Sequence, residues 1–141
     1  DEPTAGLDPH ERNRFHHLLA RLSEDIVVLL STHIVEDVAD LCPNLAIMNG
    51  GRVLASGTPG ELRGELAGRL WRKGMSQAEA DAERERVSVI STRLTAGVCE
   101  VRAWSETSPG TGYAACEPDL EDVYFAKLFS ADGSGLSRDA A

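Results

Sequence analysis

The sequence has no long hydrophobic run. Its longest uninterrupted apolar stretch, Ile26 to Leu30, is far shorter than the roughly 20 residues that a membrane-spanning helix needs. It also lacks a G-x-x-x-x-G-K-[ST] segment, and therefore a glycine-rich phosphate cradle with its lysine. The basic and apolar start of a signal peptide is absent too. Because the first residue is Asp1 rather than methionine, we expect the chain to be cut from something longer.

Cysteine and clustered positive charge are also scarce. The three cysteines, Cys42, Cys99 and Cys116, are odd in number and form no C-x-x-C pair, which argues against a disulfide framework or a zinc site. The net charge is −9, and the arginines between positions 63 and 86 alternate with glutamates. This pattern predicts a solvated mixed-charge surface rather than a nucleic-acid interface. Hydrophobic residues at 42% and charged residues at 26% are typical of a soluble globular domain.

The first half of the chain reads as alternating helices and strands. A D-x-x-E capping pattern, with proline in the first helical position, predicts a helix from Asp8 onward, and its apolar stripe is Phe15, Leu18, Leu19 and Leu22. The run from Ile26 to Leu30 predicts a strand that is covered on both faces in a parallel sheet. A short helix with Ile34, Val38 and Leu41 on one face follows. Asn49-Gly50-Gly51 predicts a hairpin turn, and Thr58 to Glu61 a capping box that opens a helix to about Leu66.

The second half predicts shorter elements. Four short strands are expected at Gly68–Arg72, Val87–Ile90, Val98–Trp104 and Tyr113–Cys116, with a small charged helix capped at Ser76 to Glu79. Pro118 to Asp122 opens a last helix with acids in its first turn, and Val123, Tyr124 and Leu128 form its stripe. We expect this stripe to cover the strands of the same half, or else a partner subunit. From Ser130 onward a frayed tail is expected.

The most informative stretch is Asp1-Glu2-Pro3-Thr4-Ala5-Gly6-Leu7-Asp8-Pro9. Two adjacent carboxylates before a tight Pro/Gly loop suit phosphoryl chemistry, because one can support Mg²⁺ and the next can orient or deprotonate an attacking water. An Asp-Glu pair alone is a weak signal. It gains weight from Leu30-Ser31-Thr32-His33 and from the hairpin segment between Leu45 and Pro59, which follow it in order.

Together these three blocks resemble the end of the Walker B motif with the D-loop, the switch histidine and the hairpin after that switch in ABC-transporter ATPase subunits. The resemblance implies that Asp1 supports Mg²⁺, that Glu2 polarises the attacking water and that His33 contacts the γ-phosphate of ATP. Asp8 matches the D-loop aspartate, which touches the partner ATPase, and joins Asp1 as a predicted cofactor-binding residue. The other histidines, His10, His16 and His17, are predicted to lie on a helix surface. Pro43-Asn44 departs from the Asp-Arg pair that is common in the family.

The implied fold is α/β: the C-terminal half of a P-loop ATPase domain over residues 1–66, an accessory α+β segment over 67–129 and a disordered tail over 130–141. Pro118 to Tyr124 matches a Pro-x-Leu-Glu-Asp-Val-aromatic segment that ends many exporter-type subunits. The Leu-Ser-Gly-Gly-Gln-type signature is absent from the sequence. The implied parent is a cytoplasmic ATPase, peripheral at the membrane, that hydrolyses ATP with Mg²⁺. It would work as a head-to-tail dimer with separate permease subunits, without nucleic acid and without inserting into the membrane itself.

Two alternatives to a transporter subunit stay open. One is a non-transport ABC protein that acts on the ribosome, although such proteins commonly have Asn-His-Leu-Asp after Asp-Glu-Pro-Thr, where this chain has Ala5-Gly6-Leu7-Asp8. The other is a degenerate, non-hydrolysing interaction domain, against which the presence of both Glu2 and His33 argues.

Overall fold

The structure, a computed structural model, describes residues 1–22 and 26–131. The helices are α1 (Pro9–Leu22), α2 (Val35–Leu41), α3 (Pro59–Gly64), α4 (Gln77–Glu83) and α5 (Leu120–Ala131). The strands are β1 (Leu45–Asn49), β2 (Arg52–Gly57), β3 (Leu70–Met75), β4 (Ser88–Thr95), β5 (Val98–Trp104) and β6 (Ala114–Ala115). None of the described helices is long and apolar enough to cross a membrane. The mixed α/β class is confirmed, and the strand pairs of the described residues are antiparallel.

The hairpin predicted from Asn49-Gly50-Gly51 is present. Strands β1 and β2 pair from Leu45 opposite Gly57 to Asn49 opposite Arg52, so two residues form the turn. Gly50 and Gly51 have φ values of 55° and 74°, the left-handed region that a type I′ hairpin turn requires at both central positions. The turn chemistry therefore sets the register of this hairpin.

Helices α3 and α4 begin at the predicted capping boxes. The Thr58 side chain accepts a hydrogen bond from the backbone of Glu61, whose side chain accepts one from the backbone of Thr58. Ser76 and Glu79 form the same reciprocal pair. Each box satisfies backbone N–H groups that the first helical turn leaves without a partner, which explains why these short helices begin at these residues.

The second sheet has four strands in the order β4-β5-β3-β6. A small apolar cluster of Ala80, Val89, Cys99 and Val101 joins it to α4. The other cluster contains α5 and extends beyond this sheet: Ile47, Leu62, Leu66, Leu70, Ile90, Leu120, Val123 and Ala126. Helix α5 therefore contacts α2, α3 and the hairpin as well as β4. The expectation that its stripe covers mainly the strands of the second half was too narrow, because α3 and β1 contribute buried residues to the same cluster.

A buried ion pair holds the beginning of α5 to the second sheet. The Arg102 guanidinium on β5 donates to the Asp122 carboxylate, and the two side chains are 9% and 0% exposed. Arg93 on β4 adds contacts to Asp119 at 2.9 Å and to Glu121 at 2.7 Å. Burial raises the pKa of Asp122, and the neighbouring Asp119 carboxylate acts in the same direction, while the two arginines favour the charged form. The acids predicted to complement the helix dipole thus also pair with arginines of the sheet.

One expectation for the first half fails within the described residues. Ile26 to Leu30 forms no strand there: Val27 is fully exposed and Leu29 is 96% exposed. A strand buried in a parallel sheet needs neighbouring strands on its edges and cover on its faces, and the described residues provide neither. Helix α1 forms as predicted and has no fully buried residue. Leu18 and Leu22 of its apolar stripe are exposed, whereas Phe15 and Leu19 are partly covered. The expected tail also begins later, since Ser130 and Ala131 belong to α5, and residues 132–141 lie outside the described ranges.

Candidate functional site

Glu2 and His33 lie next to each other in the structure. The backbone N–H of His33 donates to Oε1 of Glu2 at 2.8 Å, and Nδ1 of the His33 ring lies 2.8 Å from Oε2. The Thr32 hydroxyl donates to Oε2 at 3.3 Å. The backbone N–H of Glu2 donates to the Ser31 carbonyl at 2.6 Å, so the two segments are joined at the backbone as well. Glu2 and Thr32 are 30 residues apart in sequence, so the two segments meet only in the tertiary structure.

These contacts lower the pKa of the Glu2 carboxyl, mainly through the hydrogen bond to the His33 side chain. Burial opposes this effect, and the His33 backbone, the His33 charge and Thr32 add to it. The Glu2 side chain is 32% exposed and that of His33 is 80% exposed, so both can be reached from solvent. The arrangement presents an ionised carboxylate next to an imidazole. Such a pair can orient a water molecule and bind an anionic group.

Glu2 also has an unusual backbone conformation. Its φ of 46° lies in the left-handed region, which residues other than glycine rarely adopt. Conformations of this kind persist where the surrounding contacts enforce them, and they cluster at functional sites. Here the bond from Glu2 to Ser31 and the bond from Ala5 N–H to the Glu2 carbonyl at 3.2 Å hold the residue on both sides.

A second polar cluster lies just beyond this pair, around a buried carboxylate. Asp37 on α2 is 1% exposed and accepts a hydrogen bond from the hydroxyl of Thr4, which is also 1% exposed. Nε2 of His16 lies 3.2 Å from Asp37 Oδ1, and Nε of Arg12 lies 3.6 Å from the same oxygen. The prediction that His16 is a helix-surface residue was therefore wrong. Arg12 and His16 are four residues apart and share one face of α1, which was the available sequence signal.

Asp8 and Asp1, the two aspartates predicted to bind the cofactor, have different surroundings. Asp8 caps α1: its Oδ1 accepts from the backbone N–H of Glu11 at 2.8 Å, and Glu11 Oε2 accepts from the backbone N–H of Asp8 at 3.4 Å. The predicted capping box is thus present. Asp1 is exposed, and its side chain makes no hydrogen bond with the described residues.

The residues around Asp1 and Glu2 offer few ligands for Mg²⁺. Within the described ranges, no group of three or more His, Cys, Asp or Glu side chains is placed to hold a metal ion. Mg²⁺ commonly keeps several waters and takes one or two carboxylates together with substrate phosphates. The exposed carboxylate of Asp1, next to Glu2, fits this mode of binding and does not fit a metal held by protein ligands alone.

Comparison with known proteins adds partial matches. No family model matches the chain. The daunorubicin/doxorubicin resistance ATP-binding protein DrrA of Streptomyces peucetius is 38% identical over 88 residues, which are 62% of this chain and 27% of that protein. The Nod factor export ATP-binding protein I of Rhizobium etli is 42% identical over 69 residues, or 48% of this chain and 22% of that protein. The energy-coupling factor transporter ATP-binding protein EcfA2 of Lactiplantibacillus plantarum is 44% identical over 64 residues, or 44% and 22%.

The matched residues span roughly a quarter of the length of each of these relatives. Their similarity confirms the predicted resemblance to the ATP-binding proteins of ABC transporters, over the part of the chain that is matched. It also agrees with the α/β fold class, since the relatives are ABC ATPases.

Proposed function

We propose that this chain is the C-terminal part of the ATP-hydrolysing subunit of an ABC transporter and supplies the hydrolytic side of its nucleotide site. The observation that carries the proposal is the pairing of Glu2 with His33, which brings the two predicted catalytic residues within 2.8 Å of each other. The two residue types and their order in the sequence match the family motif. The similar proteins are named as ATP-binding proteins of drug resistance, of Nod factor export and of an energy-coupling factor transporter.

In the proposed mechanism Glu2 is the group that orients the attacking water and accepts its proton. The carboxylate is ionised at neutral pH, and its lowered pKa favours orienting the water by a hydrogen bond over holding the proton for long. The ring of His33 has two alternative acceptors, the Glu2 carboxylate and a γ-phosphate oxygen. If the ring turned to a phosphate, Oε2 of Glu2 would keep only the longer bond from the Thr32 hydroxyl and could accept one from the water, while the His33 backbone N–H still held Oε1. His33 would then stabilise the charge of the transferred group.

Asp1 would support Mg²⁺ through water, and the ion would neutralise charge on the phosphates. Asp8, at the beginning of α1, would contact a second ATPase subunit in a head-to-tail dimer. The phosphate cradle and its lysine would come from residues outside this sequence, which contains no G-x-x-x-x-G-K-[ST] segment. Two features support a longer parent: the fully exposed Val27 in an apolar run, and the exposed Leu18 and Leu22 on the stripe of α1. The subunit would be cytoplasmic and reach the membrane through permease subunits.

The proposal is tested in the longer protein with its phosphate-binding loop. Glu2→Gln keeps the shape of the side chain but removes the base, so we expect ATP turnover to fall by about a hundredfold or more while nucleotide binding is retained. His33→Ala should lower the rate by a similar factor, because it removes a charge-stabilising donor. His17→Ala is the matched control, since His17 is exposed on α1. Its turnover should equal that of the unmodified protein.

The same experiment includes the chain alone. Calorimetry with Mg-ATP should detect neither binding nor hydrolysis, because phosphate affinity depends mainly on the glycine-rich loop and its lysine. Micromolar binding by the chain alone would contradict the fragment proposal. Near-normal turnover in the Glu2→Gln variant of the longer protein would contradict the assignment of the carboxylate. A longer protein that binds ATP but never hydrolyses it would favour a non-hydrolysing interaction domain.

A further inference from the structure

A carboxylate without solvent contact has to be paired, because an isolated buried charge is costly. Asp37 is 1% exposed, and its three partners all come from residues that precede His33 in the chain: Thr4, Arg12 and His16. It lies in the first turn of α2, the helix that begins two residues after His33. The Asp37 side chain therefore connects α2, which follows His33, to the loop that follows Glu2 and to α1.

Thr4 is the contact in the Glu2 loop. Its hydroxyl donates to Oδ2 of Asp37, its carbonyl accepts from Leu7 N–H at 3.1 Å, and the turn that contains it also returns the Ala5 N–H to Glu2. The backbone bonds lie within the loop. Among the hydrogen bonds described, only the one from the Thr4 side chain connects the loop to α2. The left-handed φ of Glu2 lies two residues away and requires its surroundings to be fixed.

We propose that Asp37 is a positioning residue: by holding the Thr4 hydroxyl it fixes the loop that orients Glu2 against His33. Asp37 itself touches neither Glu2 nor His33 in the described contacts. Its effect on hydrolysis rests on the proposed function, whereas its effect on the loop does not. A displacement of a reacting group by about 1 Å can cost about a hundredfold in rate, so a remote anchor of this kind can have a large effect on turnover.

The first test uses this chain and needs no activity. Amide hydrogen exchange is measured by NMR at Ala5 and Leu7 in the unmodified chain, Thr4→Val, Thr4→Ser and Asp37→Asn. Thr4→Val keeps the side-chain shape and removes the hydroxyl, so exchange at both amides should accelerate by about tenfold or more. Thr4→Ser restores the hydroxyl and should restore slow exchange. Thr107→Val changes an exposed threonine and should leave both amides unchanged.

The second test uses the longer protein and separates positioning from a general loss of stability. Thr4→Val and Asp37→Asn should each lower kcat by about tenfold to a hundredfold and leave KM for ATP within about twofold. The double variant should be no worse than Asp37→Asn alone, because the Thr4 hydroxyl acts through its bond to Asp37, whereas Asp37 also pairs with Arg12 and His16. Glu36→Gln, on the exposed neighbour of Asp37, should keep full kcat.

Each outcome has one meaning. Fast exchange at Ala5 and Leu7 in the unmodified chain, or unchanged exchange in Thr4→Val, overturns the positioning role. A longer protein without ATPase activity overturns the proposed function, while the exchange result still decides the role of Asp37 in the loop. If turnover falls in Thr4→Val and Thr4→Ser does not restore it, the hydroxyl is not the anchor and the inference is wrong.

Discussion

Leu62→Ala is expected to destabilise the second half of the chain, although Leu62 belongs to the first. Leu62 on α3 is 2% exposed and shares its cluster with Leu120, Val123 and Ala126 on α5. A buried leucine replaced by alanine loses its transfer free energy and leaves a cavity, which together cost about 2–5 kcal/mol in free energy of unfolding. With a urea dependence of about 2 kcal/mol per molar, the midpoint of unfolding should fall by about 1–2.5 M.

The two tryptophans provide a local probe for this effect. Trp71 and Trp104 both lie in the 67–129 segment, on β3 and β5, and the sequence has no others. If the shared cluster makes the chain one cooperative unit, tryptophan fluorescence and far-UV circular dichroism should report the same transition, and Leu62→Ala should shift both. Val123→Ala, which alters the same cluster from α5, should shift both by a smaller amount, about 2 kcal/mol.

Leu94→Ala is the matched control, because Leu94 is 77% exposed on β4 and its truncation removes almost no burial. Its free energy of unfolding should stay within about 0.5 kcal/mol of that of the unmodified chain. If Leu62→Ala left the tryptophan transition in place and moved only the circular dichroism signal, the two segments would unfold independently. The cluster would then not couple them, and the reasoning from α5 would be refuted.

Three further predictions concern stability. Asp122→Ala removes the fully buried partner of Arg102 and leaves only the more exposed Glu100 and Asp119 beside its guanidinium, so it should cost about 3 kcal/mol in urea unfolding. Glu121→Ala, on a half-exposed neighbour, should cost under about 1 kcal/mol. Gly51→Ala forces a side chain into the left-handed region, so it should lower the free energy of unfolding by about 1 kcal/mol and the thermal midpoint with it. Gly60→Ala, in α3 with open space around it, should not destabilise the chain. The pKa of Glu61 is lowered by hydrogen bonds from the backbone and side chain of its N-cap residue, so its stabilisation is present at neutral pH and is lost as the pH falls below about 4. Thermal midpoints in acid should therefore fall less for Glu61→Gln than for the unmodified chain, and equal slopes would contradict the capping role.

The elements that local chemistry specifies could be predicted from the sequence. Gly50-Gly51 requires two left-handed residues, and Thr58 and Ser76 each have a glutamate three positions on, so the hairpin and the starts of α3 and α4 follow from neighbours in the chain. The identity of Glu2 and His33 as a candidate pair came from resemblance to a family. Their roles in hydrolysis stay predictions, as do those of Asp1 and Asp8.

Tertiary structure decided the contacts that join distant parts of the chain. Nothing local in the sequence distinguishes Asp37 from its exposed neighbour Glu36, because burial depends on which faces of α1 and α2 meet. The spacing of Arg12 and His16 places them on one face of α1, but it does not say that this face meets α2. The same reason explains why α5 packs on α3 and the hairpin as well as on β4: an apolar stripe specifies that it will be covered, and only the packing of the whole chain selects its partners. For the run from Ile26 to Leu30 the composition predicts a buried strand, but most of its side chains are exposed because the described residues include no neighbouring strands that would bury them.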